Sequence, residues 1–183
     1  MMKNDDSIKM FICGCIKDSG KYLNNVFQNI KKIEAVLDDY HIIMAYDDSK
    51  DNSLEILNTY NDYYKDKMSL IIGTDELSGI RTQNISNARN NILTEIKKID
   101  YSDFEYFIMM DMDDVCSKPI NIDVLKYIIN TERTVPLEWD SISFNRLDYY
   151  DIWALSIHPY TFSCWHYPDG KKIQRQMINY INQ

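Results

Sequence analysis

Three observations predict an α/β protein with a mostly parallel central sheet and helices on both faces. Short apolar runs alternate with helical stripes from Lys9 to Lys98, with no hairpin signal between them. Such alternation implies right-handed crossovers and a parallel sheet. A further unbroken apolar run, Tyr106 to Met110, ends in Asp111-Met112-Asp113-Asp114. Runs of this kind read as strands buried on both faces, in the middle of a sheet. Ligands of open α/β sheets gather just past the carboxyl ends of such strands.

Taken in order, Lys9 to Ile16 is the first strand. Tyr22 to Asp38 follows with Leu23, Val26, Phe27, Ile30, Ile33 and Leu37 on one helical stripe. His41 to Tyr46 is the second strand, stopped by Asp47-Asp48-Ser49-Lys50-Asp51-Asn52-Ser53. Asn52 with Glu55 has the spacing of a capping box, so a helix starts there and continues through Leu57 and Tyr60. Met68 to Gly73 is the third strand. After the break at Ser78-Gly79, a long helix is expected from Thr82 to Lys98, with Ile85, Ala88, Ile92, Leu93 and Ile96 inward. Beyond the acidic strand come a short helix around Val124 to Ile129, a turn at Pro136 and a half-buried strand from Asp140 to Asn145. An aromatic-rich stretch from Leu147 to Gly170 and a last helix from Lys171 towards Gln183 complete the chain.

The 183 residues suffice for one domain with a proper core and are too few for two comfortable ones. The expected organisation is a single domain over 1–183, with residues 9–115 and 116–183 as its two halves. The chain is also short enough to be one domain of a longer polypeptide. A net charge of -8 with dispersed Lys and Arg argues against nucleic acid as a partner. No apolar run reaches the ~20 residues of a membrane span, and the acidic start lacks the features of a secretory signal. Cys13-Gly14-Cys15 has the wrong spacing for the usual zinc pairs. On a strand its two thiols share a face, which reads as buried, reduced core and as a cytoplasmic setting, a host's if the chain is viral.

Three features should meet at one edge of the sheet. Asp47-Asp48 ends the second strand, and an ionised carboxylate there can accept the imide N–H of uracil or an amino group of another base. It also suits the positive end of the helix that follows. Arg81 and Arg89 lie eight residues apart on the long helix, close to two turns, so both can face one side. Guanidinium forks bind diphosphate and stack on bases, though two surface arginines pairing with acids are equally ordinary. The Asp111/Asp113/Asp114 cluster completes the set. Carboxylates so close repel one another unless a cation lies between them, and Mg²⁺ or Mn²⁺ fits because hard ions take oxygen ligands. Asp114 suits a supporting position or the cap of the next element.

The order of these motifs resembles the nucleotide-binding half of GT-A-fold glycosyltransferases, and more narrowly those of large DNA viruses and microbes. Asp47 to Ser53 is similar to the Asp-Asp-x-Ser-x-Asp segment of family-2-like enzymes. Ile85-Ser86-Asn87-Ala88-Arg89-Asn90 resembles a helix preceding the metal motif in mannosyltransferase-like sequences, and Tyr149 to Leu155 a segment following it in viral ones. The match runs from about Phe11 to Leu155, and it implies that residues 9–115 are a nucleotide-binding half and 116–183 an acceptor-side half.

The resemblance implies a UDP- or GDP-sugar donor, a glycan or protein hydroxyl as acceptor, and Mn²⁺ or Mg²⁺. It implies nucleotide-sugar binding by Cys15, Lys17, Asp47, Asp48, Arg81, Arg89 and Asp111. Metal ligation falls to Asp111 and Asp113, with His158 or His166 as a further ligand. An inverting enzyme needs a carboxylate base; Asp151 comes first, then Asp148, with Asp169 more remote. A retaining enzyme needs none. Only about seventy residues follow the acidic motif, so Tyr149, Trp153 and Trp165 are available for stacking on sugar or for packing a compact core. Two other readings remain open. A nucleotidyltransferase shares the acidic site, but Gly14 to Gly20 is a poor version of its phosphate-gripping loop. A non-catalytic nucleotide- or glycan-binding module suits the short C-terminal portion.

Overall fold

The computed structural model describes residues 7–73, 78–98, 104, 106–134 and 141. The chain divides into two units, Met1–Leu137 and Glu138–Gln183, and every described residue except Ser141 belongs to the first. Among the described residues there are four parallel strands: β1 (Lys9–Ile16), β2 (Asp39–Tyr46), β3 (Met68–Ile72) and β4 (Tyr106–Asp111). Their spatial order is β3-β2-β1-β4. They alternate with α1 (Gly20–Glu34), α2 (Ser53–Tyr64) and α3 (Arg81–Lys98), and α4 (Asp114–Ser117) and α5 (Ile122–Thr134) follow β4. This is the Rossmann-like α/β architecture expected from the alternation. No helix among the described residues is long and apolar enough to cross a membrane.

Period-two alternation sorts the strand residues onto two faces. One face carries Met10, Ile12, Ile42, Met44 and Met110, covered by the α1 stripe of Leu23, Val26, Phe27, Ile30 and Ile33. Phe27 stacks on Tyr60 at a centroid distance of 3.8 Å, tying α1 to α2. The opposite face carries Phe11, Cys13, Ile43 and Ala45, covered by Ala88 and Ile92 of α3. Burying such stripes contributes roughly 25 cal/mol per Å² of apolar surface removed from water.

Several expectations are corrected. Among the described residues β4 is an outer strand, and Phe107 on it is 55% exposed, so the strand is not buried on both faces. Leu93 of α3 faces solvent, because the helix rests on the sheet through Ala88 and Ile92, with Ile96 packed beside them. Cys13 is buried, whereas Cys15 is only half-buried because α3 does not seal the carboxyl edge of β1. The Asn52/Glu55 capping box does not form: Asn52 is the N-cap of α2 without a side-chain bond. Asp51 takes over. Its Oδ1 accepts from the Ser53 N–H at 3.0 Å and the Ser53 hydroxyl at 2.5 Å, and its Oδ2 accepts from the Gly20 N–H of α1 at 2.8 Å. One carboxylate thus serves the first turns of two helices, where negative charge is favoured. The turn at Pro136, the strand from Asp140 to Asn145, the aromatic stretch and the last helix lie outside the described residues, Ser141 excepted.

Burial alone pushes the Asp51 carboxyl up, but the bonds from Ser53 and Gly20 outweigh it and hold the group below its ordinary 3.8. A depressed folded-state pKa stabilises the fold above the unfolded value and loses that contribution as pH falls through the folded one. Asp51→Ala should therefore cost about 1 kcal/mol at pH 7, and the difference from wild type should shrink below pH 4. Urea denaturation at both pH values checks this; a gap that persists at low pH rejects it.

Candidate functional site

β1 leads through α1 to β2 on one side, while β4 lies on the other. The strand order reverses between β1 and β4, with α1 on one face of the sheet and α3, which leads into β4, on the other, so the carboxyl ends of these two strands are the topological switch point of the sheet, where a crevice forms. A cavity of about 510 Å³ occupies that place, lined by the ends of β1 and β4, the β1–α1 turn, Asp47 and the first half of α3. Its polar groups include Lys17, Asp47, Arg81, Arg89, Asp111 and Asp113.

Each is positioned by the local chain. The parallel ladder runs one residue beyond β2: the Asp47 N–H donates to Ile16 O at 2.9 Å, and the Gly73 N–H donates to Tyr46 O at 2.9 Å. Gly73 leaves room for the carboxylate, since a Cβ there would lie 3.2 Å from Asp47 Oδ1. Burial pushes the Asp47 carboxyl above its ordinary value, with Lys17 pulling it back. Asp48 points elsewhere. It is exposed and does not line the cavity, because neighbouring residues leaving a strand point in opposite directions.

Cys15 and Asp111 are register partners on β1 and β4 and share the α3 face. Burial pushes the Cys15 thiol up to about 11; Arg89 opposes that shift, while Asp47 and Asp111 add to it. The thiol is thus a neutral group at the meeting point of two carboxylates and a guanidinium. Arg81 opens α3 and Arg89 follows two turns later, both exposed and both on the cavity wall.

Asp113 has a second task. It is the N-cap of α4, and its Oδ1 accepts from the Val115 N–H at 3.1 Å. The capping position expected for Asp114 belongs to Asp113, and Asp114 is the first residue of the helix. Among the described residues, no three His, Cys, Asp or Glu side chains gather as a metal-holding group. Asp111 and the second oxygen of Asp113 are an all-oxygen donor pair. They suit Mg²⁺ or Mn²⁺ of the kind that keeps several waters and completes its shell with phosphate. His158, His166, Asp148, Asp151 and Asp169 lie outside the described residues.

Sequence reasoning missed four residues that build the site. Asn84 clasps the turn before α3: its Oδ1 accepts from the Ser78 N–H at 2.8 Å and its Nδ2 donates to Ser78 O at 2.9 Å. Asp18 adopts a positive φ of 49°, a conformation short polar side chains tolerate best. Its Oδ1 accepts from the Lys50 N–H at 2.7 Å, and its own N–H donates to Ser49 Oγ at 3.0 Å. Asn29 binds α4 and the chain just after it, and Met112 fills the sheet surface beneath the two acids. For Asn29 the signal was present, since an amide one residue before Ile30 interrupts an apolar stripe.

No family model matches the chain, and no curated protein matches it. Among solved structures it is similar to a crystal structure of S. aureus TarS at 20% identity and a TM-score of 0.45, covering 69% of this chain and 20% of that one. A second crystal structure, of S. aureus TarS 1–349, is similar at 20% identity and a TM-score of 0.43, covering 69% of this chain and 33% of that one. The chain thus spans between a fifth and a third of the length of these structures.

Proposed function

We propose that the chain is a GT-A-like glycosyltransferase domain that moves a sugar from a UDP- or GDP-sugar to a hydroxyl of a glycan or protein. One observation carries this reading: carboxylates and guanidinium groups line a single cavity at the switch point of a parallel sheet. That charge pattern suits a nucleoside diphosphate. Asp47 accepts a base N–H, Arg81, Arg89 and Lys17 face the diphosphate, and Asp111 and Asp113 hold Mn²⁺ or Mg²⁺. When bound, the cation supplies Lewis-acid stabilisation of the negative charge that develops on the departing diphosphate. Arg89, beside the neutral Cys15 thiol and on the same cavity wall as Asp47 and Asp111, orients the nucleotide and balances their charge. Asp151 or Asp148 takes the acceptor proton if the reaction inverts the anomeric centre.

Calorimetric titration with UDP, GDP and their sugars, with and without Mn²⁺, tests the reading. Manganese-dependent binding with slow donor hydrolysis is expected. Glycan binding with neither property would instead indicate a non-catalytic module, and no nucleotide binding at all would reject the reading. The pH profile adds a sign. Because Asp47 titrates above the ordinary 3.8, base recognition should weaken at a higher pH than an unperturbed aspartate would give. A raised folded-state pKa also means that the ionised form costs stability at neutral pH. Asp47→Asn should therefore lose that limb of the profile while unfolding at the same or a higher urea concentration than wild type.

A further inference from the structure

Gly14 lies in the middle of β1, paired with Met44 on one side and Met110 on the other. No glycine among the described residues has a positive φ, so the backbone does not demand a glycine here. Space does. A Cβ at Gly14 would run into Met112, 2.5 Å from its Sδ, and lie 3.2 Å from Met44 Sδ. Met112 is 2% exposed, although it sits in a turn between Asp111 and Asp113, one exposed and the other half-buried. The chain leaves β4 at Asp111, drives one apolar side chain onto the sheet and continues into α4.

We propose that Gly14 and Met112 form a lock, with Met112 as a positioning residue that fixes the relative placement of the Asp111 and Asp113 carboxylates. This rests on the glycosyltransferase reading and deepens it, by naming what holds the acids ready for a cation shared with the diphosphate. The Met112 side chain reaches into the core beneath the turn and the missing Cβ at Gly14 makes the slot it fills. The turn is held at its far end too, since Asp113 caps α4 and the Asn29 amide donates to Cys116 O. Two carboxylates pinned on both sides of a buried anchor keep their spacing without help from the ligand, which lowers the ordering cost of binding. A methionine without the slot would have to rise into the cavity and carry the acids with it.

The test compares UDP affinity with and without Mn²⁺ by calorimetry on the full chain. Gly14→Ala and Met112→Ala should each cut the manganese-dependent gain in affinity, the ratio of UDP affinities with and without the metal, about tenfold or more. Met112→Leu, similar in volume, should restore the gain. Leu57→Ala serves as the control, because it empties a fully buried site on α2 away from the cavity and should lower stability without touching the gain. If Gly14→Ala does not fold, the Met112 pair decides. A wild-type gain in Met112→Ala, or an equal loss in Leu57→Ala, overturns the lock. A wild-type chain that binds UDP with no manganese-dependent gain overturns the lock alone, whereas one that binds no nucleotide overturns the glycosyltransferase reading, and the lock falls with it.

Discussion

Asp113→Asn is expected to leave the fold intact while cutting metal-dependent donor turnover by about 100-fold or more. The expectation separates two jobs of one side chain. Asp113 Oδ1 caps α4 by accepting from the Val115 N–H, and asparagine caps a helix about as well as aspartate. The cap therefore survives the substitution. The negative charge does not, and a neutral amide oxygen is a poor replacement for a carboxylate on a hard cation. Asp113→Ala should show the same catalytic loss plus about 1 kcal/mol of lost stability, because the cap goes as well. Donor hydrolysis with Mn²⁺ and urea denaturation of both variants give the two readouts. Wild-type turnover in the asparagine variant would exclude Asp113 as a ligand.

Asn29→Ala should destabilise the chain by roughly 3 kcal/mol, from three lost bonds at a buried position. Asn29 is 2% exposed. Its Nδ2 donates to Cys116 O at 2.8 Å and Lys118 O at 2.7 Å, and its Oδ1 accepts from the Ile120 N–H at 3.3 Å. The amide thus replaces water for three main-chain groups, one in α4 and two in the segment between α4 and α5, and alanine leaves them unsatisfied. Asn29→Leu fills the volume but offers no polar atom, so it should not recover the loss. A change below 1 kcal/mol in either variant would show that solvent reaches this segment freely.

What the sequence reveals depends on the range over which each feature is decided. The strands and α1 are legible because their signals are local: apolar runs at Met10 to Ile16 and His41 to Tyr46, and a stripe at 3.6-residue spacing from Leu23 to Ile33. The position of β4 in the sheet was not, because burial of Phe107 depends on what packs beside it rather than on its own neighbours in sequence. Cys13 and Cys15 share one face and diverge only because α3 covers the middle of that face and not its end. Asp47 and Asp48 are chemically identical, and strand geometry alone separates a cavity-lining acid from a solvated one. The capping roles of Asp51 and Asp113 each turned out one residue away from the expected position, since caps depend on the angle at which the chain enters the helix. Asn29 and Met112 act across the fold, and only three-dimensional placement discloses what they hold.

The cavity takes its two walls from strands that reach the sheet over very different lengths of chain. Tyr40 joins Met10 across 30 positions, whereas Tyr106 joins the same residue across 96. In a flexible chain, loop closure makes the second pairing costlier by about 1 kcal/mol, from the logarithm of that ratio. A guest bridging both walls would tie together stretches that lie far apart along the chain, a rivet for the fold as well as a cargo.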